Sequence, residues 1–214
     1  MKKIIIALCG KKQVGKSTSY ELIKKINNNK KTIEKLSFAS KLKEMVTNIF
    51  DVDYNKLIGS DEEKDSFTYL DWEDVDLSIR EDFMNKDDLA PSIGKITHRE
   101  LLQLVATNLF RAVRPNIWVE CLPRSLAKSS SDIVVIDDAR FPNELEALKN
   151  HGAVLVKLYR NTGSLNSANH FSEIASDHLL DDYYDFVIHD HKNRTMEELE
   201  NSWKKIMGFL GEKK

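Results

Sequence analysis

One octapeptide, Gly10-Lys11-Lys12-Gln13-Val14-Gly15-Lys16-Ser17, constrains this chain more than any bulk property does. It satisfies the pattern G-x-x-x-x-G-K-[ST], and its flanks supply the context that the pattern needs. Before it, Lys3-Ile4-Ile5-Ile6-Ala7-Leu8 is an apolar run of buried-strand length. After it, Ser19 to Ile26 reads helical, with Leu22, Ile23 and Ile26 on one face. Strand, glycine loop and helix in that order make an anion cradle, because glycines let backbone N–H groups turn inward and a helix N-terminus adds partial positive charge. In such a loop Lys16 reaches the β- and γ-phosphates of a nucleoside triphosphate, and the Ser17 hydroxyl ligates Mg²⁺. The expected nucleotide contacts are Gly10, Lys12, Val14, Gly15, Lys16, Ser17 and Thr18, with ATP and Mg²⁺ as the cofactors.

With 214 residues the chain has the length for one domain with a sizeable core and room for an appended lobe. A formal charge of −2 with 31% charged residues gives no global basic field, so the expected partner is a small anion rather than extended nucleic acid. Met1-Lys2-Lys3 before Ile4 to Cys9 imitates a signal peptide, but the apolar run is short and ends in the glycine loop. No stretch is long and apolar enough to cross a membrane, and Cys9 and Cys121 lack metal-ligand spacing. Buried free thiols in a reducing cytoplasm are therefore expected, and a homodimer remains compatible with the sequence.

The rest of the chain alternates strands and helices. Thr32 to Phe38 reads as a strand, and Ser40 opens a helix whose Leu42, Met45, Val46 and Ile49 form one apolar stripe. Residues 51–94 are acidic and weakly periodic, and read as an insertion with helical pieces. Thr97-His98-Arg99-Glu100 is a capping box opening a helix that buries Leu101, Leu102, Leu104, Val105 and Leu109, and Arg99 and Gln103 share a face on it. Asn116 to Leu122 continues as a helix that Pro123 is expected to stop. Ile133 to Ile136 is a strand ending in Asp137-Asp138, Pro142 starts a helix that Gly152 ends, and Ala153 to Leu158 and Asp185 to Ile188 are the last strands. Thr195-Met196-Glu197-Glu198 boxes the C-terminal helix. This pattern predicts an α/β fold, a mostly parallel sheet covered on both faces with its site at the C-terminal strand ends.

A phosphate loop names a donor; the acceptor must be read elsewhere. Arg99, Arg111, Arg114, Arg140 and Arg160, with Lys43, follow predicted strands or lie on neighbouring helices. Guanidinium forks suit phosphate, so their convergence would serve two phosphate-bearing substrates, although isolated surface arginines commonly do no more than make solvated salt bridges. Either Asp137 or Asp138 stands where a carboxylate would approach Mg²⁺, the other capping the next helix. His170, Ser172 and Glu173 do not form a hydrolase set, because no strand-turn-helix elbow presents the serine. A guanine-reading Asn-Lys-x-Asp pattern occurs at Asn85-Lys86-Asp87-Asp88, but no apolar strand precedes it and no Asp-x-x-Gly occurs in the chain.

In order along the chain, Gly10 to Ser17, Ser37-Phe38-Ala39 with Leu42-Lys43-Glu44, Arg99 with Leu102-Gln103 and Arg111, Trp118, Asp138-Ala139-Arg140-Phe141-Pro142-Asn143-Glu144, Arg160, and His170 with Ser172-Glu173 resemble the deoxynucleoside monophosphate kinases of tailed phages. The resemblance leaves out mainly residues 51–94. It departs at Lys41, where proline is usual, at Val105-Ala106, which replaces Leu-Gly, and at Asp190, where asparagine is usual. It implies a single P-loop kinase domain over residues 1–214 with sheet order 2-3-1-4-5, acceptor-binding helices in 97–128 and a lid in 160–173. It also implies Mg·ATP as donor, a deoxynucleoside 5′-monophosphate as acceptor, DNA precursor supply as the purpose, and the host cytoplasm as the compartment if the chain is phage-encoded. On this resemblance Lys16, Asp138, Arg140 and Arg160 are catalytic, Ser17 and Asp138 hold the metal, and Lys43, Arg99, Gln103, Arg111, Trp118 and Arg140 bind the acceptor. Animal-type phosphomevalonate kinase is a more distant likeness, which leaves a kinase for another small phosphorylated acceptor as the alternative.

Overall fold

The computed structural model describes residues 3–11, 14–87, 93–159, 179–189 and 195–212, and for residues 84–87 the backbone only. Seven strands are present among them: β1 (Ile4–Cys9), β2 (Ile33–Leu36), β3 (Phe67–Asp71), β4 (Lys95–Thr97), β5 (Ile133–Ile136), β6 (Val154–Leu158) and β7 (Phe186–Ile188). The helices, in chain order, are α1 (Lys16–Asn27), α2 (Ser40–Phe50), α3 (Tyr54–Ile58), α4 (Asp61–Lys64), α5 (Leu77–Asp87), α6 (His98–Gln103), α7 (Ile117–Lys128), α8 (Pro142–Asn150) and α9 (Met196–Glu212). The described chain divides into two compact units, one formed by the residues up to Ser37 and from Cys121 onward, the other by Phe38–Glu120.

The first unit is the α/β fold expected from the sequence. Five strands pair in the order β2-β5-β1-β6-β7, every pair parallel. Counted within this sheet alone, that is the order 2-3-1-4-5. Unbroken apolar runs such as Ile5 to Cys9 and Ile133 to Ile136 suit central parallel strands, because both faces of such a sheet are covered. On one face, Leu22 and Ile23 of α1 and Leu199, Trp203, Ile206 and Leu210 of α9 pack with Ile6, Leu8, Ile133, Val135, Val156 and Leu158. The alternate residues Ile5, Ala7, Val134, Ile136 and Leu155 are buried as well, and α8, with Leu145 and Leu148 in the core, lies against β6. Register matters for the site: Leu36 and Ile136, the last residues of β2 and β5, pair with each other, and Ala7 pairs with Ile136, so β1 runs two residues further, to Cys9.

The second unit holds α2 to α6, the start of α7, and the antiparallel pair β3 and β4. The expectation of helical pieces in 51–94 is met by α3, α4 and α5, but β3 was not expected there. Its alternation is inverted, since Thr68 is buried while Phe67 and Tyr69 face out, and its partner β4 begins 24 residues beyond Asp71 at Lys95. The Thr97 box forms as read: Thr97 Oγ1 accepts from the Glu100 amide at 3.2 Å and Glu100 accepts from the Thr97 amide at 2.8 Å. After Gln103 the helix loosens into a π-helix over Leu104–Arg111. Pro123 does not stop α7, which runs through it to Lys128. Proline costs an interior helix one donor and crowds the carbonyl four residues back, and here the ring is on the exposed face of α7. The stripe on α2 is only partly used, with Leu42 and Val46 buried and Ile49 66% exposed. Asn85 to Asp87 lie within α5 rather than after a strand, which removes the guanine-reading alternative, and Asp88 lies outside the described residues.

Candidate nucleotide-binding site

The loop after β1 is built as a phosphate cradle. Gly10 sits at φ +135°, and a Cβ there would stand 2.5 Å from the Leu158 carbonyl oxygen of the neighbouring strand. Gly15 caps α1 in the left-handed region at φ +97°. No side chain caps that helix start and its first turn carries no acidic residue, so its N-terminal amides have no competing carboxylate of their own. Lys16 folds back across the loop, its Nζ donating to the carbonyls of Gly10 and Lys11, each at 2.6 Å. An ammonium held beside the N-terminus of α1 is placed to meet phosphate oxygens. Ser17 is exposed, Thr18 half-buried, and Val14 buried in the sheet core. Lys12 lies outside the described residues.

Because β2 and β5 end level and β1, parallel to them, runs only two residues further, the segments after them emerge along one edge of the sheet, where α/β folds bind ligands. Asp137 and Asp138 there meet different partners. Asp137 pairs with Lys35 Nζ at 2.5 Å, and Lys35 also lies over the Tyr20 ring at 5.7 Å. Asp138 accepts instead from the hydroxyl of Ser37, at the end of β2. The turn that follows is clamped by Glu144. This carboxylate, 2% exposed, accepts from the amides of Arg140 at 2.8 Å and Phe141 at 3.1 Å, fixing the backbone from which Arg140 projects. Ser37 and Glu144 were part of the family resemblance, yet their roles were not legible in it. A hydroxyl on one strand end and a carboxylate four residues beyond Arg140 meet their partners only after the sheet and α8 form.

Cys9, the last residue of β1, is buried, and burial pushes its thiol up from 9.0 to about 12, although Lys16 and Lys157 pull the other way. It is a packing thiol and no nucleophile. Cys121 is free and half-buried. Beyond β6 and β7, Tyr159 and His189 stack at 5.1 Å, and Tyr159 Oη donates to Asp181 at 2.7 Å, which holds that carboxyl below the usual aspartate range.

Of the expected acceptor residues in the second unit, Lys43 lies on α2, Arg99 and Gln103 on α6, Arg111 at the end of the π-helical stretch and Trp118 on α7. Lys43 is half-buried on α2. Arg99 on α6 is gripped by two carboxylates, with Nε 2.5 Å from Asp65 Oδ1 and Nη2 2.8 Å from Asp61 Oδ1. Gln103 is half-buried at the end of α6, and Arg111 donates to the Pro115 carbonyl at 3.3 Å. Trp118 is 6% exposed, with its indole N–H 3.3 Å from the Ala106 carbonyl and its ring 5.7 Å from that of Phe110. Arg114 makes a surface pair with Glu120 at 2.9 Å. Arg160, the 160–173 segment with His170, Ser172 and Glu173, and Asp190 lie outside the described residues.

No family model matches the chain. Over 66 residues it is 47% identical to the deoxynucleoside-5′-monophosphate kinase of Escherichia phage T5, a match that covers 30% of this chain and 26% of that protein. The chain thus spans about a quarter of the length of that curated relative. Among solved structures, a plasmid partition protein from Borrelia burgdorferi aligns over 98% of this chain and 100% of its own at 12% identity, with a TM-score of 0.36. A second Borrelia burgdorferi B31 partition protein, solved with AMPPNP, aligns over 99% of each chain at 13% identity, with a TM-score of 0.35. At those TM-scores neither bears on function, and the fold class rests on the parallel sheet and the glycine loop themselves.

Proposed function

We propose that this chain is a P-loop kinase that transfers the γ-phosphoryl group of ATP to the 5′-phosphate of a deoxynucleoside monophosphate, giving a deoxynucleoside diphosphate and ADP. One arrangement carries the reading: Lys16 folded over a left-handed glycine loop at the end of β1, on the sheet edge where Asp138 follows β5. The local match to a phage deoxynucleoside monophosphate kinase favours the acceptor class.

The chemistry asks little of a general base. The acceptor phosphate is largely dianionic near neutral pH, its second pKa being about 6, so one of its oxygens attacks the γ-phosphorus directly. The bond to the β–γ bridging oxygen breaks, and ADP leaves with the electron pair. What the protein must supply is charge neutralisation, alignment and exclusion of water. In this reading Lys16 neutralises the transferred group, Arg140, Lys43 and Arg111 hold the acceptor phosphate, and Arg99, Gln103 and Trp118 contact its sugar and base.

The donor set fits Mg²⁺, a hard ion that takes oxygen ligands and keeps several waters. The Ser17 hydroxyl is exposed at the start of α1, and the Asp138 carboxylate is fixed by Ser37, whereas Asp137 is committed to Lys35. This supports Asp138 over Asp137 as the metal-side carboxylate. Bound there, Mg²⁺ would neutralise charge on the β- and γ-phosphate oxygens. ADP release measured with each dNMP, each NMP and phosphomevalonate tests the assignment. Turnover with at least one dNMP is expected, whereas turnover with phosphomevalonate alone would move the chain to the alternative acceptor.

A further inference from the structure

We infer that Asp61 and Asp65 are positioning residues for Arg99, which they convert from a phosphate-gripping cation into a fixed, charge-neutralised donor fork that reads a neutral group of the acceptor nucleotide. The inference rests on the kinase reading and assigns a task to the acidic segment 51–94, which that reading left without one.

The geometry is one-sided. Arg99 donates from Nε to Asp65 and from Nη2 to Asp61, so one edge of the planar guanidinium is occupied. A guanidinium has five N–H donors, and among the described residues nothing accepts from Nη1. The Nη1 side, with the second Nη2 hydrogen, is a second fork whose orientation is set by the first. Asp61 and Asp65 are four residues apart at the two ends of α4, and four is the spacing that brings side chains to one helix face. The Arg99 side chain is 27% exposed, which distinguishes this contact from the solvated pair of Arg114 and Glu120.

Charge decides what such a fork reads. Asp65 by itself cancels the formal charge of Arg99, and Asp61 shares the same group, so the pull on a phosphate dianion is weakened while directional N–H donors remain. A neutral partner with two adjacent acceptors then gains most, as the N7 and O6 edge of guanine does from an arginine fork. The same acidic segment holds the helix a second time, where Asp82 accepts from Asn108 Nδ2 at 2.8 Å on the π-helical stretch.

Steady-state kinetics on the full chain, with the four dNMPs as separate acceptors, test this. Asp61→Ala/Asp65→Ala and Arg99→Ala should both compress the spread of kcat/KM among bases by about tenfold, through acceptor KM and with ATP KM unchanged. Asp65→Asn keeps a carbonyl to accept from Nε and should retain most of the ranking. Arg99→Lys keeps the charge without the fork and should lose the ranking as Arg99→Ala does; this variant carries the test if the double alanine variant fails to fold. Ranking intact in Arg99→Lys or in a folded double variant, or a uniform loss across all bases, would overturn the inference alone. No turnover of any dNMP by the unsubstituted chain would overturn the kinase reading and the inference with it.

Discussion

At the scale of single residues, the two neighbouring aspartates show how much partner choice matters. Sequence places Asp137 and Asp138 equally well, since both follow the same strand. What separates them is that Asp137 meets Lys35 and Asp138 meets Ser37, two side chains about a hundred positions away in the chain. Asp138→Asn is expected to lower activity about 10–100-fold and to raise the Mg²⁺ concentration needed for half-maximal rate, whereas Asp137→Asn should leave the Mg²⁺ dependence in place. Mg²⁺ titrations of the two variants check this. Cys9 makes a second expectation. Its folded thiol titrates near 12 against an ordinary 9.0, so the protonated form that the fold favours is fully present below 9 and its contribution is lost as pH rises toward 12. Denaturant unfolding of the unsubstituted chain and Cys9→Ala should therefore give stability curves that run parallel below pH 9, with the parent falling more steeply above it.

Among the elements, what was legible was what local pattern controls. β1, α1, β5, α8 and the two threonine-led capping boxes all lie where apolar runs, glycines and caps place them. What was not legible depends on distant partners: β3 pairs with a strand beyond α5, the Arg99 carboxylates come from another helix, and α7 tolerates Pro123 on an exposed face. The π-helical stretch is invisible to a 3.6-residue periodicity because its bonds skip an extra residue. The glycine loop itself makes a graded prediction. Gly15→Ala meets no atom within 4 Å and should lose only about 1–2 kcal/mol, the cost of a left-handed backbone for a residue with a Cβ. Gly10→Ala adds a clash with the Leu158 carbonyl at 2.5 Å and should lose more; chemical denaturation of both ranks them. On α9, Trp203 is fully buried against the sheet, and Trp203→Ala should cost about 3–5 kcal/mol by the same measurement.

Taken whole, the described chain divides into two compact units. The first carries the parallel sheet, the phosphate loop, Asp138 and Arg140; the second carries Lys43, Arg99, Gln103, Arg111 and Trp118 on helices braced by an acidic segment. Among the described residues no helix is long and apolar enough to cross a membrane, as the sequence leads one to expect. The parallel sheet was readable in the sequence because each of its strands ends in a motif or a turn signal. The second unit was readable only as helices, because its ribbon and its ion pairs join residues that no local pattern connects. We propose that this chain moves phosphate between two nucleotides and that Lys16 stabilises the transfer. The most direct test is to incubate the chain with γ-labelled ATP, Mg²⁺ and the four dNMPs and to separate the nucleotides. Label should appear in at least one deoxynucleoside diphosphate, and Lys16→Ala should slow its appearance by about 10²-fold or more. Label released only as free phosphate, or diphosphate formed at an undiminished rate by Lys16→Ala, would contradict the account.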